Sequence, residues 1–333
     1  MAAMNMEANG NIKLVGKGQG ASVSPVQGAF YTILVILGIL GNATVVGVIG
    51  NSAIMDRGGG RNSDIIIINL ALSNLLLTLW RNTLLIFSDL GVLLYSSKEI
   101  CQFLMGIWVW LRTVNVWSTF LLSALHRQTL GRVAPINGNL HRPQGAPKTP
   151  LLILGLIWFL GFIYSIPAHI FSTNGNKNST ETLMLVSGTT RPLLGCLWNF
   201  PSSYSGLAYA TTSMVIHEII PIILMSVTSL GSLYTLYMHG RRQSPVQDAP
   251  VIKRVSAEKR AAKVILALVI LFVACWGTSI ISVNYYNYNR GSSVEFLLIV
   301  ARLANIIFIT MSPVVLAAGH RRLRSFIKSM LAH

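Results

Sequence analysis

Seven long apolar segments constrain the fold of this chain more than any other feature of its sequence. Each is close to or longer than the roughly 20 residues that a helix needs to cross a bilayer, and they lie at about residues 26–50, 64–88, 99–131, 150–171, 207–239, 260–283 and 294–317. A backbone exposed to lipid must satisfy its own hydrogen bonds, and these segments are too long for barrel strands. Only 11% of the residues are charged, against about 25% in soluble domains. The sequence therefore predicts an all-α membrane protein built as a bundle of seven transmembrane helices.

The distribution of basic residues predicts the orientation of this bundle. The loops and tails outside the spans fall alternately on the two sides of the membrane. Of the 26 Lys and Arg residues, 17 lie on one side, 6 lie on the other, and 3 lie within the spans. By the positive-inside rule, the amino terminus lies outside and the carboxyl terminus lies in the cytoplasm. The net charge of +16 does not indicate a nucleic-acid binder, because such proteins do not carry several apolar runs of this length.

The two ends of the chain lie outside the predicted bundle. Residues 1–25 are polar and rich in glycine, and we expect a disordered extracellular tail there. Residues 318–333 are expected to form a short amphipathic helix on the inner membrane surface. Its apolar residues recur at helical spacing between basic ones: Leu323, Phe326, Ile327, Met330 and Leu331.

The three cysteines and one glycosylation sequon agree with this orientation. Cys101 and Cys196 both fall on the predicted outer side, where a disulfide is permitted, whereas Cys275 lies in the middle of a span. The sequon at Asn178 lies in the long polar loop at 172–206, which is also placed outside. We therefore expect a bridge between Cys101 and Cys196 and a glycan on Asn178.

Charged residues inside the spans indicate a binding pocket in the outer half of the bundle. Arg112 lies eleven residues, or roughly 16 Å, from Cys101 along its helix. Arg81, Arg302 and Glu218 lie at depths of roughly 10–17 Å in their own spans, so all four are predicted to share one layer. Three arginines against one carboxylate leave a charge of about +2, which would suit an anionic organic ligand.

Further polar and aromatic residues are predicted to line the same pocket. Trp108, Arg112 and Asn115 share one helix face, so Trp108 could stack on the arginine or on a ligand. His217, beside Glu218, could add positive charge at lower pH. A structural alternative stays open for the charges, because Arg112 could pair with Glu218, and Arg81 or Arg302 could extend to the outer water.

Catalytic and metal-binding patterns are not evident in the sequence. His217 and Glu218 begin a metalloprotease-like motif, but the second histidine that the motif requires is missing. No nucleophile elbow and no facing carboxylates occur within a span. We therefore predict neither an enzyme nor a protein that carries a cofactor or metal.

Taken in order along the chain, several motifs resemble those of G-protein-coupled receptors of the rhodopsin-like class. They are Gly41-Asn42, Leu70-Ala71-Leu72-Ser73-Asn74, Trp158, Pro221, Cys275-Trp276 and Ser312-Pro313. The departures are also informative. Asn74 replaces an acidic residue, Leu125-His126-Arg127-Gln128 replaces the Asp-Arg-Tyr signature, and no proline follows Trp276.

This set of departures resembles the vomeronasal type-1 receptor family, in particular its fish branch of olfactory receptor class A-like proteins. The resemblance rests on Leu121-Leu122-Ser123-Ala124-Leu125, on Gln128-Thr129-Leu130, on the sequon at Asn178 upstream of Cys196, and on Ser312-Pro313. It implies a pheromone or odorant receptor in the plasma membrane of chemosensory neurons that activates an inhibitory-type G protein. A bitter-taste-type receptor and, from a different class, a small-anion membrane transporter remain the alternatives.

The resemblance also implies roles for residues below the pocket. Trp276 and the helix bends at Pro221 and Pro313 are expected to transmit the signal. Asn42 and Asn74, at family motif positions in the first two spans, are expected to take part in the same transmission. A heterotrimeric G protein is expected to bind the basic cytoplasmic face. The candidate residues on that face are His126, Arg127, Arg132, Arg241, Arg242 and Lys259.

Overall fold

The computed structural model describes residues 24–55, 62–90, 97–133, 149–174, 196–241, 249–289 and 296–331. These residues form seven long helical spans. In chain order, the spans are α1 (Pro25–Met55); α2 (Asn62–Leu77), a π-helical turn (Thr78–Asn82) and α3 (Thr83–Asp89); α4 (Lys98–Val133); α5 (Thr149–Ile170); α6 (Ser203–Met214), a second π-helical turn (Val215–Ile219) and α7 (Ile220–Arg241); α8 (Ala249–Asn289); and α9 (Phe296–Gly319). The predicted seven-helix bundle is thus confirmed.

Six of these spans are long and apolar enough to cross a membrane on their own composition. The third span, α4, has 36 residues but includes polar ones such as Arg112 and Asn115. Its middle section, from residue 111 to 116, is buried throughout. It packs against the second, fourth, fifth and sixth spans, so neighbouring helices shield its polar side chains from lipid. The third span is therefore the central helix of the bundle.

A short β-hairpin covers one end of the bundle. Strands β1 (Ser172–Asn174) and β2 (Cys196–Trp198) pair in antiparallel fashion, with Asn174 opposite Cys196. A disulfide joins Cys196 to Cys101 at the start of α4, as predicted, with a Cα–Cα distance of 5.3 Å. The hairpin is an addition to the all-α architecture expected from sequence. We call this end of the bundle the disulfide end.

The apolar core fills the bundle from its middle to the opposite end. Phe272, Phe308 and Met225 are fully buried there, together with Leu70 and Leu122. Phe308 meets Phe272 edge-on at 5.1 Å between ring centroids. These side chains bring the second, third, fifth, sixth and seventh spans into a single packed core.

Close approach between the first and seventh spans depends on a glycine. A Cβ atom at Gly41 would lie 3.0 Å from the Cγ atom of Pro313, so a larger residue there would crowd the proline ring. Pro313 lies inside α9, where it removes one helix hydrogen bond. The glycine therefore lets the first span pack directly against the proline of the seventh.

The chain ends in a tenth helix, α10 (Arg321–Leu331), which follows α9 after a break at His320. Leu323 is buried, whereas Phe326, Ile327 and Met330 are exposed. The short amphipathic helix predicted from the sequence is therefore present. The predicted tail at 1–25 and the sequon at Asn178 lie outside the described residues, apart from positions 24 and 25.

Candidate functional site

Two π-helical turns shape the interior of the bundle near the disulfide end. In the second span, the backbone N–H of Thr83 donates to the carbonyl oxygen of Thr78; in the fifth span, that of Ile220 donates to Val215. The turn in the fifth span precedes Pro221, whose ring would clash with the carbonyl of the residue four positions earlier in a regular helix. A wider turn removes that clash, and such turns often occur at functional sites.

The turn in the fifth span holds Glu218 inside the bundle, where it forms an ion pair with Arg112. The Arg112 Nη2 atom donates a hydrogen bond to Glu218 Oε1. The two side chains are 9% and 1% exposed, respectively. The pairing that the sequence left open is thus present, and it links the third and fifth spans in the centre of the protein.

Two guanidinium groups lie against the same tryptophan ring. The Cζ atom of Arg81 is 5.1 Å from the ring centroid of Trp108, and that of Arg112 is 5.2 Å from it. Arg112 also lies 5.5 Å from the ring centroid of Trp276. The stacking of Trp108 on Arg112 expected from their spacing of four residues is present. The indole rings hold two cations close together through cation–π contacts.

A small cavity opens beside these cations. The volume that it offers to water is about 30 Å³, which is room for about two water molecules. The residues that line it are Asn74, Leu77, Arg81, Asn82, Trp108, Arg112, Asn115, Trp276, Asn305 and Ile309. Four of the seven predicted ligand-binding residues, Arg81, Trp108, Arg112 and Asn115, are therefore brought together around one space.

Arg302 belongs to a separate cluster nearer the disulfide end. Its Nη1 and Nη2 atoms donate to the two carboxylate oxygens of Asp89, at 3.1 and 2.5 Å. Its Cζ atom also lies 3.6 Å from the ring centroid of Tyr31. The sequence-based charge count omitted Asp89 because the second span was expected to end at residue 88. With Asp89 included, the predicted charged layer holds three arginines and two carboxylates, so the net charge of that layer falls from about +2 to +1.

His217 does not line the cavity. Its Nδ1 atom accepts a hydrogen bond of 3.2 Å from Trp117 Nε1, and its ring lies 4.0 Å from that of Tyr164. Glu218, the next residue, is not among the lining residues either, although its ion-pair partner Arg112 is. Glu218 is thus connected to the cavity through Arg112, whereas the two residues that His217 contacts lie outside the cavity lining.

Below the cavity, asparagine side chains connect four spans. Asn115 Nδ2 donates to Asn74 Oδ1 at 2.7 Å, and Asn74 Nδ2 donates to Ser312 Oγ at 3.2 Å. Asn42 Nδ2 donates to the carbonyl oxygen of Ile309 at 2.9 Å. This network joins the first, second, third and seventh spans through neutral groups. It begins at two residues that line the cavity, Asn74 and Asn115.

At the opposite end, Arg127 is exposed and lies against the backbone of the fifth span. A Cβ atom at Gly231 would be 2.7 Å from the Arg127 Cζ atom, so the glycine makes room for the guanidinium. His126 is buried, unlike the exposed position expected of a residue that contacts a partner. Of the other predicted residues, Arg242 and the side chains of Arg132, Arg241 and Lys259 lie outside the described part of the chain.

Several residues near the site were missed in the sequence, among them Leu77 and Ile309 of the cavity lining and three polar residues. Asn82 and Asn305 line the cavity, and Asp89 pairs with Arg302. Asn305 follows Arg302 by three residues, a spacing that places both on one helix face, and this signal could have identified it. Within the described residues, no group of three His, Cys, Asp or Glu side chains could hold a metal ion.

Comparison with known proteins places this geometry in a family. Residues 41–315 match the model of the seven-transmembrane receptors of the rhodopsin family. Olfactory receptor class A-like protein 4 of Danio rerio is 37% identical over 93% of this chain and 91% of its own length. Vomeronasal type-1 receptor 46 of Mus musculus is 26% identical over 70% of this chain and 72% of its own. Neuropeptide Y receptor type 6 of Oryctolagus cuniculus is 22% identical over 74% of this chain and 63% of its own.

These relatives are receptors rather than enzymes, and their family acts in membranes through G proteins. The match covers most of the bundle, including the cavity and the asparagine network. The chain therefore belongs to the rhodopsin family of seven-transmembrane receptors and, within it, to the chemosensory group of olfactory class A-like and vomeronasal type-1 receptors.

Proposed function

We propose that this receptor binds a small anionic organic molecule in the cavity beside Trp108 and then activates an inhibitory-type G protein. The amino terminus and the disulfide end would face the outside of a chemosensory neuron, and the end that carries Arg127 would face the cytoplasm. The excess of Lys and Arg in the alternate loops supports this orientation. A disulfide at the end placed outside supports it as well.

The observation that carries the proposal is the pair of guanidinium groups at the cavity. Arg81 and Arg112 both line it, and both lie against Trp108. A guanidinium offers a planar fork of donors that matches a carboxylate or sulfate, and Trp108 offers a flat apolar surface to the rest of a ligand. One buried carboxylate, that of Glu218, is already engaged by Arg112.

The cavity must widen before an organic ligand can enter, because it holds only about two water molecules. A ligand anion that approaches Arg112 would compete with Glu218 and loosen the link between the third and fifth spans. It would also press on Trp276, which stacks on Phe272 at 5.2 Å between centroids. Movement of these rings, with the bends at Pro221 and Pro313, would carry the signal toward Arg127.

The test is a screen of carboxylates, sulfates and bile-acid-like compounds on cells that express the receptor, with G-protein activation as the readout. An active anion should lose its effect on Arg81→Gln. It should also lose its effect on the double variant Arg112→Gln with Glu218→Gln, in which no buried charge is left alone. The matched control is Lys98→Gln, an exposed basic residue at the disulfide end, which should keep the response.

Surface expression is measured for every variant, so that a lost response is not confused with a lost protein. Activation by cations alone would contradict the proposal, as would an anion response that survives both changes. The transporter alternative predicts saturable uptake into proteoliposomes without nucleotide exchange. Membership of a receptor family favours the receptor.

A further inference from the structure

The ion pair of Arg302 and Asp89 lies between the cavity and the disulfide end. Arg302 precedes Asn305 by three residues, and Asp89 follows Asn82 by seven, while both asparagines line the cavity. At 1.5 Å per residue, these separations correspond to about 4.5 and 10 Å along the helices. Because α3 ends and α9 begins at the disulfide end, Arg302 and Asp89 both lie nearer to that end than the asparagines do. The pair thus lies on the disulfide-end side of the cavity, and we call this side the mouth.

The pair at the mouth is partly exposed, whereas the inner pair is almost fully buried. The side chains of Arg302 and Asp89 are 17% and 20% exposed, against 9% and 1% for Arg112 and Glu218. The Asp89 carboxylate uses two oxygens to accept from two guanidinium nitrogens, a geometry that any carboxylate or sulfate can reproduce. An anion that offers the same two acceptors can therefore take its place at little net cost.

Arg302 has supports and donor capacity apart from Asp89. Its guanidinium rests on the ring of Tyr31, whose hydroxyl donates to Asn82 Oδ1 at 3.0 Å. Asp89 occupies the two terminal nitrogens, and the buried Nε atom has no hydrogen-bond partner among the described residues. The guanidinium can therefore hold its place when Asp89 leaves, and its two terminal nitrogens can then donate to an incoming anion.

We infer that Asp89 is an internal competitor for the ligand anion, which must displace it from Arg302 to reach Arg81 and Arg112. The Asp89 carboxylate accepts from the same guanidinium donors as the proposed anionic ligand would. It therefore occupies the position at Arg302 where an anion would first bind, which we call the entry site, and it lowers the affinity for anions. The inference rests on the proposed function in one respect: the cavity is taken to receive an anion from the disulfide end.

Access to the cavity can be measured without knowing the ligand. The probe is methanethiosulfonate ethylsulfonate, an anionic reagent that modifies thiols. The full-length receptor carries Cys275→Ala, to remove its free thiol, and Asn305→Cys, to place a thiol in the cavity wall. Asp89→Asn should raise the rate of modification about fivefold, the factor that corresponds to a partly exposed ion pair.

Three controls make this result specific. Asp89→Glu keeps the carboxylate and should keep the slow rate. Asp89→Asn should not change the rate at Ser202→Cys, an exposed site at the start of α6, because a shift there would reflect surface potential alone. In an Arg302→Gln background, the accelerating effect of Asp89→Asn should disappear. An unchanged rate at Asn305→Cys, or an equal rise at Ser202→Cys, would overturn the inference.

A second measurement separates this inference from the proposed function. An anion found active in the screen should become about fivefold more potent on Asp89→Asn, by the same competition. If Arg81→Gln abolishes the response while Asp89→Asn leaves potency unchanged, the receptor proposal stands and the role of Asp89 is wrong. If Asp89→Asn speeds the thiol reaction but no anion activates the receptor, the entry site stands and the proposed ligand class is wrong.

Discussion

Removing one partner of the Arg112–Glu218 pair should destabilise the receptor more than removing both. Glu218 is 1% exposed, and Glu218→Leu leaves the Arg112 guanidinium in the core without this carboxylate. Breaking a buried ion pair in this way costs about 3–5 kcal/mol. At about 2 °C per kcal/mol, the lower value for large domains, the melting temperature should fall by about 6–10 °C.

Replacement of both charges should recover most of that loss. Well-packed apolar side chains in place of a buried ion pair are often neutral or stabilising. The double variant Arg112→Met with Glu218→Leu should therefore melt within about 2 °C of the wild type, or less than about 1 kcal/mol away. Arg112→Met alone should cost less than Glu218→Leu alone, because a carboxylate can take up a proton whereas a guanidinium cannot readily lose one.

Cys275 provides the assay. It is the free cysteine among the described residues and is 8% exposed, so a thiol-reactive dye reports unfolding in detergent. All variants are heated at one scan rate, because unfolding of such proteins is commonly irreversible. A loss of less than about 2 °C for Glu218→Leu would refute the reasoning. The reasoning would also be refuted if the double variant lost as much in melting temperature as the two single variants lose together, since the two sites of one ion pair should couple.

Three further changes test other parts of the structure. Gly231→Ala should not lower the melting temperature, because the exposed end of the flexible Arg127 side chain can move aside and alanine in a helix is about 0.5–1 kcal/mol more favourable than glycine; a drop that vanishes when Arg127→Ala is added would show that the guanidinium is held in place. Cys101→Ser opens a loop whose ends are 95 residues apart, at a cost of about 4–5 kcal/mol, so surface expression should fall while Cys275→Ala keeps it. Asn74→Asp removes amide donors from the buried network and should lower stability by about 1–3 kcal/mol in the thiol-dye assay; an unchanged melt would argue against those bonds.

Features that depend on one helix at a time could be predicted from the sequence. The apolar runs gave the number of spans, because each run must bury its backbone within itself. The stacking of Trp108 on Arg112 followed from a spacing of four residues along a single helix. The amphipathic end of the chain followed from the same periodicity.

Features that depend on how the helices pack could not be predicted in this way. Asp89 and Arg302 are 213 residues apart, and only the arrangement of the second and seventh spans brings them together. The π-helical turns change which side chains point inward without interrupting an apolar run, so hydropathy does not reveal them. Trp276 was assigned to signal transmission, but it also lines the cavity because the sixth span packs against the third.

The central position of a polar helix has a consequence for biosynthesis. The third span is less apolar than the other six, and its Arg112 pairs with a residue that follows 106 positions later in the chain. At the usual 5–20 residues per second, the ribosome adds Glu218 about 5–20 s after Arg112. Throughout that interval, the nascent third helix must remain in contact with water or with the insertion machinery. We therefore expect nascent chains that are stopped before the fifth span to be recognised by membrane quality control.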